Sequence, residues 1–211
     1  MPKKGRVKRR RKKSFTVVAP PSLGEVELHE VLANDEKSLI NRTYEPLLYD
    51  ITEDLQHQNI VLRLKITRVE DGKAYTIFAG HSYVREYLRA LIVRGTSFVK
   101  AFKDVETKDG YRYRVLAGAF TTRTINTSRK RAIRKIAFEI LEKRAKELDN
   151  DAFIKGILFE KIASEIYNAA KKICPLRHVG ILKTKLLSIP EAQKRIIYEG
   201  LGTGGGEGEE A

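Results

Sequence analysis

The sequence predicts an α+β fold: an antiparallel, barrel-like β-sheet with one inserted helix, followed by long amphipathic helices and a basic C-terminal strand. Up to residue 122, apolar residues alternate with polar ones, as they do in half-buried strands. Beyond residue 126, the apolar residues recur with the helical period instead. The predicted parts, in chain order, are a disordered basic arm (1–13), a barrel-like domain (14–125), a helical and αβ C-terminal lobe (126–200) and a disordered, acidic, glycine-rich tail (201–211).

The amino terminus is the most strongly charged segment of the chain. Like charges repel, so a basic run of this kind stays unfolded until an anion neutralises it. Nucleic acid is the usual polyanion, and cations that meet its phosphates release counterions, which adds affinity without sequence preference. The whole chain carries 41 Lys and Arg against 27 Asp and Glu, a net charge of +14. Nine of the first thirteen residues are basic: Lys3, Lys4, Arg6, Lys8, Arg9, Arg10, Arg11, Lys12 and Lys13.

A short strand is predicted directly after the arm. Residues 14–19 are mostly apolar or β-branched. Pro20 and Pro21 stop this strand, because proline has no backbone N–H to donate to a neighbouring strand. The mixed pattern over 26–40 fits a loop or a short helix, and both interpretations stay open.

The first of two predicted hairpins has the clearest strand signal. Apolar residues occupy every second position from Ile60 to Ile66, with basic residues between them. Asp71-Gly72 is a favoured two-residue turn, and residues 74–79 supply the returning strand. This pattern predicts two antiparallel strands with one buried face.

A helix and a second hairpin follow. Apolar residues recur at helical spacing from Val84 to Ile92 and stop before Gly95, a residue typical of helix ends. Residues 98–106 and 111–122 then form the second predicted hairpin. The helix is therefore inserted between the two hairpins of the sheet.

Tyrosine and arginine alternate over 111–114, in the second hairpin. Such a strand fits a base-stacking platform for nucleic acid. The same alternation also describes an ordinary half-buried strand, because Tyr111 and Tyr113 fall in phase with the core residue Val115. We favour the half-buried strand.

Two amphipathic helices are predicted after residue 126. A stripe of apolar residues from Ile133 to Leu148 indicates a long first helix with one buried face. The second helix is expected over 151–173, and Pro175 ends it.

Basic residues cluster at the start of the long helix, an end that already carries a partial positive charge. A phosphate there would accept hydrogen bonds from free backbone N–H groups and from the arginines together. A solvated basic face is the alternative. A basic strand over 176–187, which a short helix after Pro190 follows, favours nucleic acid as the partner. Besides the arm, the residues predicted to bind RNA are Arg123, Arg129, Lys130, Arg131, Arg134, Lys135, Arg177, Lys183 and Lys185.

Catalytic, metal and cofactor sites have little support in the sequence. Asp50 and Asp54, with Asp104 or Asp109, are the carboxylates that a metal-dependent RNA-processing enzyme would use, and we keep this as an alternative function. No motif supplies the further ligands that a metal needs. We therefore expect no catalytic residue, no metal and no cofactor.

The expected location follows from cysteine and hydropathy. A single cysteine, Cys174, excludes an internal disulfide and fits a reducing compartment. No apolar run approaches the ~18 residues that span a bilayer, and no secretory segment follows the basic start. We expect a cytoplasmic protein without a membrane partner.

Several segments share a pattern that generic strand and helix rules do not explain. The most specific are 104–111, Asp-Val-Glu-Thr-Lys-Asp-Gly-Tyr, and 173–177, Ile-Cys-Pro-Leu-Arg. The others are 18–20, 42–45, Leu48, Asp50, 78–80, Arg85, Glu86, Arg114, the basic helix start after Thr127-Ser128, Lys183 and Lys185. On these residues the chain resembles the archaeal and eukaryotic small-ribosomal-subunit proteins of the S3Ae family, also called the eukaryote-type S-one family, over about residues 14–190. Two positions depart from the family: Ser14-Phe15 stands where a tryptophan–tyrosine pair is common, and Asn41 where glycine is expected.

The resemblance implies a structural protein of the small ribosomal subunit with a barrel-plus-helices architecture and no enzymatic activity. It implies binding to ribosomal RNA on the platform, near the messenger RNA exit and the 3′ end of the small-subunit RNA. Neighbouring platform proteins, and messenger RNA at the exit channel, are the other implied partners. A free RNA-binding regulator outside the ribosome is a further alternative, because charge alone does not distinguish it from a ribosomal protein.

Overall fold

The computed structural model describes residues 12–191, 193 and 194, and in these the α+β class is confirmed. The arm up to residue 11 and the tail over 201–211 lie outside the described residues, as does part of the short helix predicted after Pro190. The strands are β1 (Lys13–Val18), β2 (Glu27–Ala33), β3 (Thr43–Tyr44), β4 (Ile60–Glu70), β5 (Lys73–Tyr83), β6 (Phe98–Glu106), β7 (Arg112–Thr121) and β8 (Leu176–Ser188). The helices are α1 (Tyr49–Thr52), α2 (Arg85–Leu91), α3 (Thr127–Glu147), α4 (Asn150–Leu158) and α5 (Lys161–Ala170).

The sheet is open and mixed, with the strand order β2-β1-β5-β8-β7-β6, and β4 pairs with β5 and β3 off this path. β1 pairs with β5 in parallel and the other pairs are antiparallel. The predicted barrel-like closure is not found, because within the described strands β2 and β6 end the path without pairing to each other. Near the β6 edge, Lys103 on β6 pairs with Glu142 on α3 at 2.5 Å.

Both predicted hairpins and the helix between them are confirmed. β4 and β5 pair around the turn at Asp71 and Gly72, whose φ angles of 49° and 78° are the left-handed values that such a turn requires. β6 and β7 form the second hairpin, and α2 lies between the two hairpins in the chain. The segment that we left undecided contains strand β2.

The C-terminal strand β8 lies in the middle of the sheet. It pairs with β5 over three positions and with β7 over its whole length. Strands from the first 125 residues and from the end of the chain therefore share one sheet.

The long helix is confirmed as α3, but the single helix predicted over 151–173 is wrong. The chain forms α4 and α5 instead, separated at Glu160, which has a left-handed φ of 56°. The Glu160 carboxylate accepts a hydrogen bond of 2.7 Å from the hydroxyl of Tyr83, on β5. A contact 77 residues away in the chain stabilises this break, so helical periodicity did not reveal it.

The main core lies between one face of the sheet and helices α3 to α5. It includes Val115, Leu141 and Ile154, all with at most 1% of their surface exposed. A smaller cluster around Leu39 packs under β1 and β2. No helix in the described part of the chain is long and apolar enough to cross a membrane.

Candidate nucleic-acid interface

The start of α3 is strongly basic in the structure. Asn126 precedes the helix without a side-chain cap, and the first turn contains no acidic residue. Arg129 and Arg131 are exposed there. The positive end of the helix dipole and these guanidinium groups therefore act in the same direction, and neither is neutralised within the first turn.

Two of the predicted residues, Arg123 and Arg129, lie close enough to Cys174 for their charges to act on it. Burial raises the pKa of the Cys174 thiol, and the positive charges of Arg129 and Arg123 act on it in the opposite direction. Thr122, next to Arg123, donates its backbone N–H to the carbonyl of Pro175 at 3.3 Å. This links the loop before α3 to the start of β8.

Arg177 is the second residue of β8, and its side chain is exposed. Its guanidinium contacts the backbone carbonyl of Leu91, at the end of α2. We call the cations at this end of the sheet the basic end, and define it as Arg123, Arg129, Lys130, Arg131 and Arg177.

Two further residues of the α3 cluster have contacts within the protein. Arg134 donates to the backbone carbonyl of Lys100 on the edge strand β6 at 3.0 Å. Lys135 lies 4.0 Å from Glu139 in an exposed ion pair, which contributes little to stability. Arg134 therefore provides a hydrogen-bond donor for a backbone carbonyl of the edge strand. Its role in RNA binding stays a prediction.

Lys183 and Lys185 lie apart from the basic end, in the middle of the sheet. Both are exposed, while Thr184 between them is buried, with 1% of its surface exposed. Lys185 is directly opposite Arg114 on β7. The two lysines thus belong to the face of the sheet that the helices do not cover.

The arm is described only at its end. Lys12 and Lys13 are exposed, and Lys13 is the first residue of β1. The other seven basic residues of the arm lie outside the described residues.

Of the two tyrosines of the second hairpin, Tyr113 belongs to the core and Tyr111 packs half-buried against it, as the half-buried strand predicts. Tyr113 has 1% of its surface exposed, packs against Phe153 and donates its hydroxyl to Asn150 at 2.7 Å. Burial raises the pKa of both Tyr113 and Tyr111. A base cannot stack on the enclosed ring of Tyr113.

The carboxylates of the alternative enzyme function are each engaged locally. Asp50 accepts the backbone N–H of Leu47 at 2.9 Å, and Asp54 accepts that of Gln56 at 3.0 Å. In the second hairpin, the Asp109 carboxylate accepts the backbone N–H of Asn150, which starts α4, at 2.7 Å.

Asp104, the remaining carboxylate, accepts two hydrogen bonds from Arg114, from Nε at 2.7 Å and from Nη2 at 2.8 Å. These bonds lower the pKa of Asp104. Within the described residues, no group of three His, Cys, Asp or Glu side chains is placed to hold a metal ion. The carboxylates therefore do not form the convergent site that a metal-dependent nuclease needs.

The structure adds basic residues that the sequence did not single out for binding. Arg63 is in register with Gly80, and Gly80 with Lys185, so Arg63 joins the row that contains Lys185 and Arg114. Arg112 is exposed on β7 beside this row. Strand alternation indicated that these side chains share a solvent-facing side, but only the strand order shows that they are neighbours.

Comparison with known proteins gives a consistent result. The family model described as the Ribosomal S3Ae family matches residues 2–190. The small ribosomal subunit protein eS1 of Pyrobaculum aerophilum is 45% identical over 188 residues, which cover 89% of this chain and 85% of that protein. The eS1 of Sulfurisphaera tokodaii is 44% identical over 179 residues, covering 85% and 93%. That of Saccharolobus solfataricus is 43% identical over 180 residues, covering 85% and 86%.

Proposed function

The chain belongs to the ribosomal S3Ae family, and from this membership we propose that it is a structural constituent of the small ribosomal subunit that binds ribosomal RNA. The observation that carries the proposal is the length of the match, since relatives named small ribosomal subunit protein align over most of both chains. The protein acts by holding RNA in place and performs no reaction.

The charge distribution supports RNA as the ligand. The basic end combines a helix start without acidic residues and exposed arginines, which suits phosphate groups. The arm adds further cations that neutralise RNA phosphates wherever the chain reaches them. Contacts with folded RNA are mainly to phosphate, sugar and shape, because the deep major groove of an A-form helix excludes side chains.

We extend the proposal to the position on the subunit: the platform, near the messenger RNA exit and the 3′ end of the small-subunit RNA, beside other platform proteins. The resemblance of specific segments such as 104–111 and 173–177 supports this position. The β2 edge fits a protein neighbour better than RNA, since Glu27 and Glu30 are exposed there and Leu32 is 57% exposed. The division of the chain into arm, sheet domain, C-terminal lobe and tail stays a prediction, and in it β8 of the C-terminal lobe pairs with two strands of the sheet domain.

The test is sucrose-gradient sedimentation of a native lysate at low and high salt, with this protein detected across the fractions. We expect stoichiometric amounts in the small-subunit peak that survive the salt wash. Release of the protein into the top fractions by salt would contradict the proposal and favour a free RNA-binding regulator. As a control for nonspecific association with the subunit, the same gradients are probed for an abundant basic protein that is not ribosomal.

A further inference from the structure

The side of the sheet that faces away from the helices carries two rows of side chains in register. The first row runs from Arg63 through Gly80, Lys185 and Arg114 to Asp104. The side chains of this row that point outward are charged, and three of the four are basic.

The second row lies beside the first and contains an exposed aromatic ring. It runs from Ser82 through Lys183 and Leu116 to Phe102. Phe102 has 60% of its surface exposed, and Leu116 next to it is half-buried. Because neighbouring strands are about 4.8 Å apart, Lys183 lies about 10 Å from Phe102 along the row.

Basic residues share this face with Phe102, although the Lys100 ammonium lies over the ring of Phe98, 5.1 Å from its centroid. Lys100 is two residues earlier on the same strand, so its exposed side chain points to the same side. A shallow depression beside the ring is lined by Phe102, Lys103, Asp104 and Arg114. The carboxylate of Asp104, the nearest acid in this row, is already bound by Arg114. We define the sheet-face site as Lys100, Phe102, Arg114, Lys183 and Lys185.

An apolar ring among cations suits one type of ligand. An apolar protein surface would cover Phe102 but would also remove the cations from water without a counter-charge, which is costly. A single-stranded nucleic acid offers both a planar base for the ring and phosphates for the cations. A duplex offers the phosphates but no free base, because its bases are stacked within the helix and cannot lie on a side chain.

We propose that the sheet-face site binds a single-stranded segment of RNA, with an unpaired base stacked on Phe102 and the flanking phosphates held by Lys183 and Lys185. This inference rests on the proposed RNA-binding function. It adds that the bound RNA is single-stranded and that Phe102 contacts an unpaired base. The stacking residue is thus on β6, and is not Tyr113 of β7.

Affinity measurements test the stacking contact. Fluorescence anisotropy compares a labelled 12-nucleotide unstructured RNA with a duplex RNA of the same length. We expect Phe102→Ala to weaken single-strand binding by about 5- to 100-fold, to leave duplex binding unchanged, and to leave the salt dependence unchanged because no charge is lost. Phe102→Tyr keeps the ring and should bind like the natural chain. Leu32→Ala, at an equally exposed apolar position on β2, is the matched control.

A spectroscopic test does not depend on affinity. The chain contains no tryptophan, so Phe102→Trp introduces a single indole whose fluorescence a stacked base quenches. We expect quenching by single-stranded RNA and none in Leu32→Trp. Unchanged binding by Phe102→Ala, or no quenching of Phe102→Trp at saturating RNA, would overturn the inference. Since the gradient experiment detects the natural chain in the subunit, these results would leave the proposed function standing.

Discussion

Thr184 on β8 contacts both the ring and the backbone of His81 on β5. Its Oγ1 lies 2.8 Å from Nδ1 of the ring and accepts the backbone N–H of His81 at 3.1 Å. The other ring nitrogen, Nε2, lies 2.8 Å from the carbonyl oxygen of Ile181. A carbonyl can only accept, so Nε2 carries the proton and the Thr184 hydroxyl donates to Nδ1. The neutral ring is fully bonded, and burial lowers the pKa of His81 to about 4.

The low pKa of His81 predicts that acid destabilises the fold. The unfolded chain has a His81 pKa near 6.5 and the folded chain near 4, so between these values the unfolded state binds more protons. The contribution of neutral His81 to the free energy of unfolding is therefore complete above about pH 6.5. The free energy of unfolding should fall by on the order of 3 kcal/mol as the pH drops to about 4. Urea unfolding at pH 7.5 and 4.5 measures this fall. His81→Gln has no titrating ring, so its free energy of unfolding should fall less between these two pH values. An equal fall in the natural protein and in His81→Gln would contradict the prediction.

Gly80, next to His81, should not tolerate a side chain. Its φ of 147° disfavours other residues, and an added Cβ would overlap the backbone carbonyl oxygen of Thr184. We expect Gly80→Ala to lower the free energy of unfolding by about 2–4 kcal/mol, measured by urea denaturation. Gly156→Ala is the control, because there a Cβ would lie 3.3 Å from the flexible Cδ1 of Ile162 and alanine favours the helix. Similar losses in both variants would refute this account.

Local periodicity predicted the elements whose stabilising contacts are close in the chain. The two hairpins, α2 and α3 follow from alternation, turn residues and helical spacing. The open sheet could not be predicted from these patterns, because the order of its strands depends on contacts between distant residues. One example is the pairing of Gly80 with Lys185, 105 positions apart in the chain. Asn41 shows an intermediate case: it stands where we expected glycine, and its φ of 69° is a left-handed value that asparagine tolerates.

Removal of the acidic group from the sheet face should strengthen RNA binding. Asp104 holds the Arg114 guanidinium by two hydrogen bonds, so Asp104→Asn makes Arg114 available to phosphate. We expect affinity for single-stranded RNA to rise roughly two- to fivefold at low salt, and less at high salt, with little change in melting temperature. Glu30→Gln on β2 removes the same charge far from this face and should have no effect. Equal gains in both variants would indicate a general charge effect.

The arm should account for much of the salt dependence of binding. Residues 1–11 contain seven Lys and Arg, and their deletion leaves β1 intact. We expect weaker RNA binding and a slope of log affinity against log salt that is shallower by up to about 5. Deletion of residues 201–211, which contain no basic residue, is the control. An unchanged slope in the arm deletion would show that the arm does not meet phosphates.

The candidate site was predictable only in part. Runs of charge identified the arm and the start of α3, because those residues are adjacent in sequence. Phe102 had no such signal: an aromatic residue in a strand usually faces the core, and its neighbours Lys183 and Arg114 come from other strands. Tyr113, for which the sequence left base stacking as the less favoured interpretation, is buried.

The central position of β8 affects how the chain folds as it is synthesised. Within the described strands, the group around β1, β4 and β5 joins the β6–β7 hairpin only through β8. Both hairpins leave the translating ribosome long before residues 176–188 do. Until then, the sheet exists as two pieces whose open edges expose unpaired backbone groups, the kind of intermediate that aggregates. We therefore expect translation of β8 to be the step that joins the two parts of the sheet.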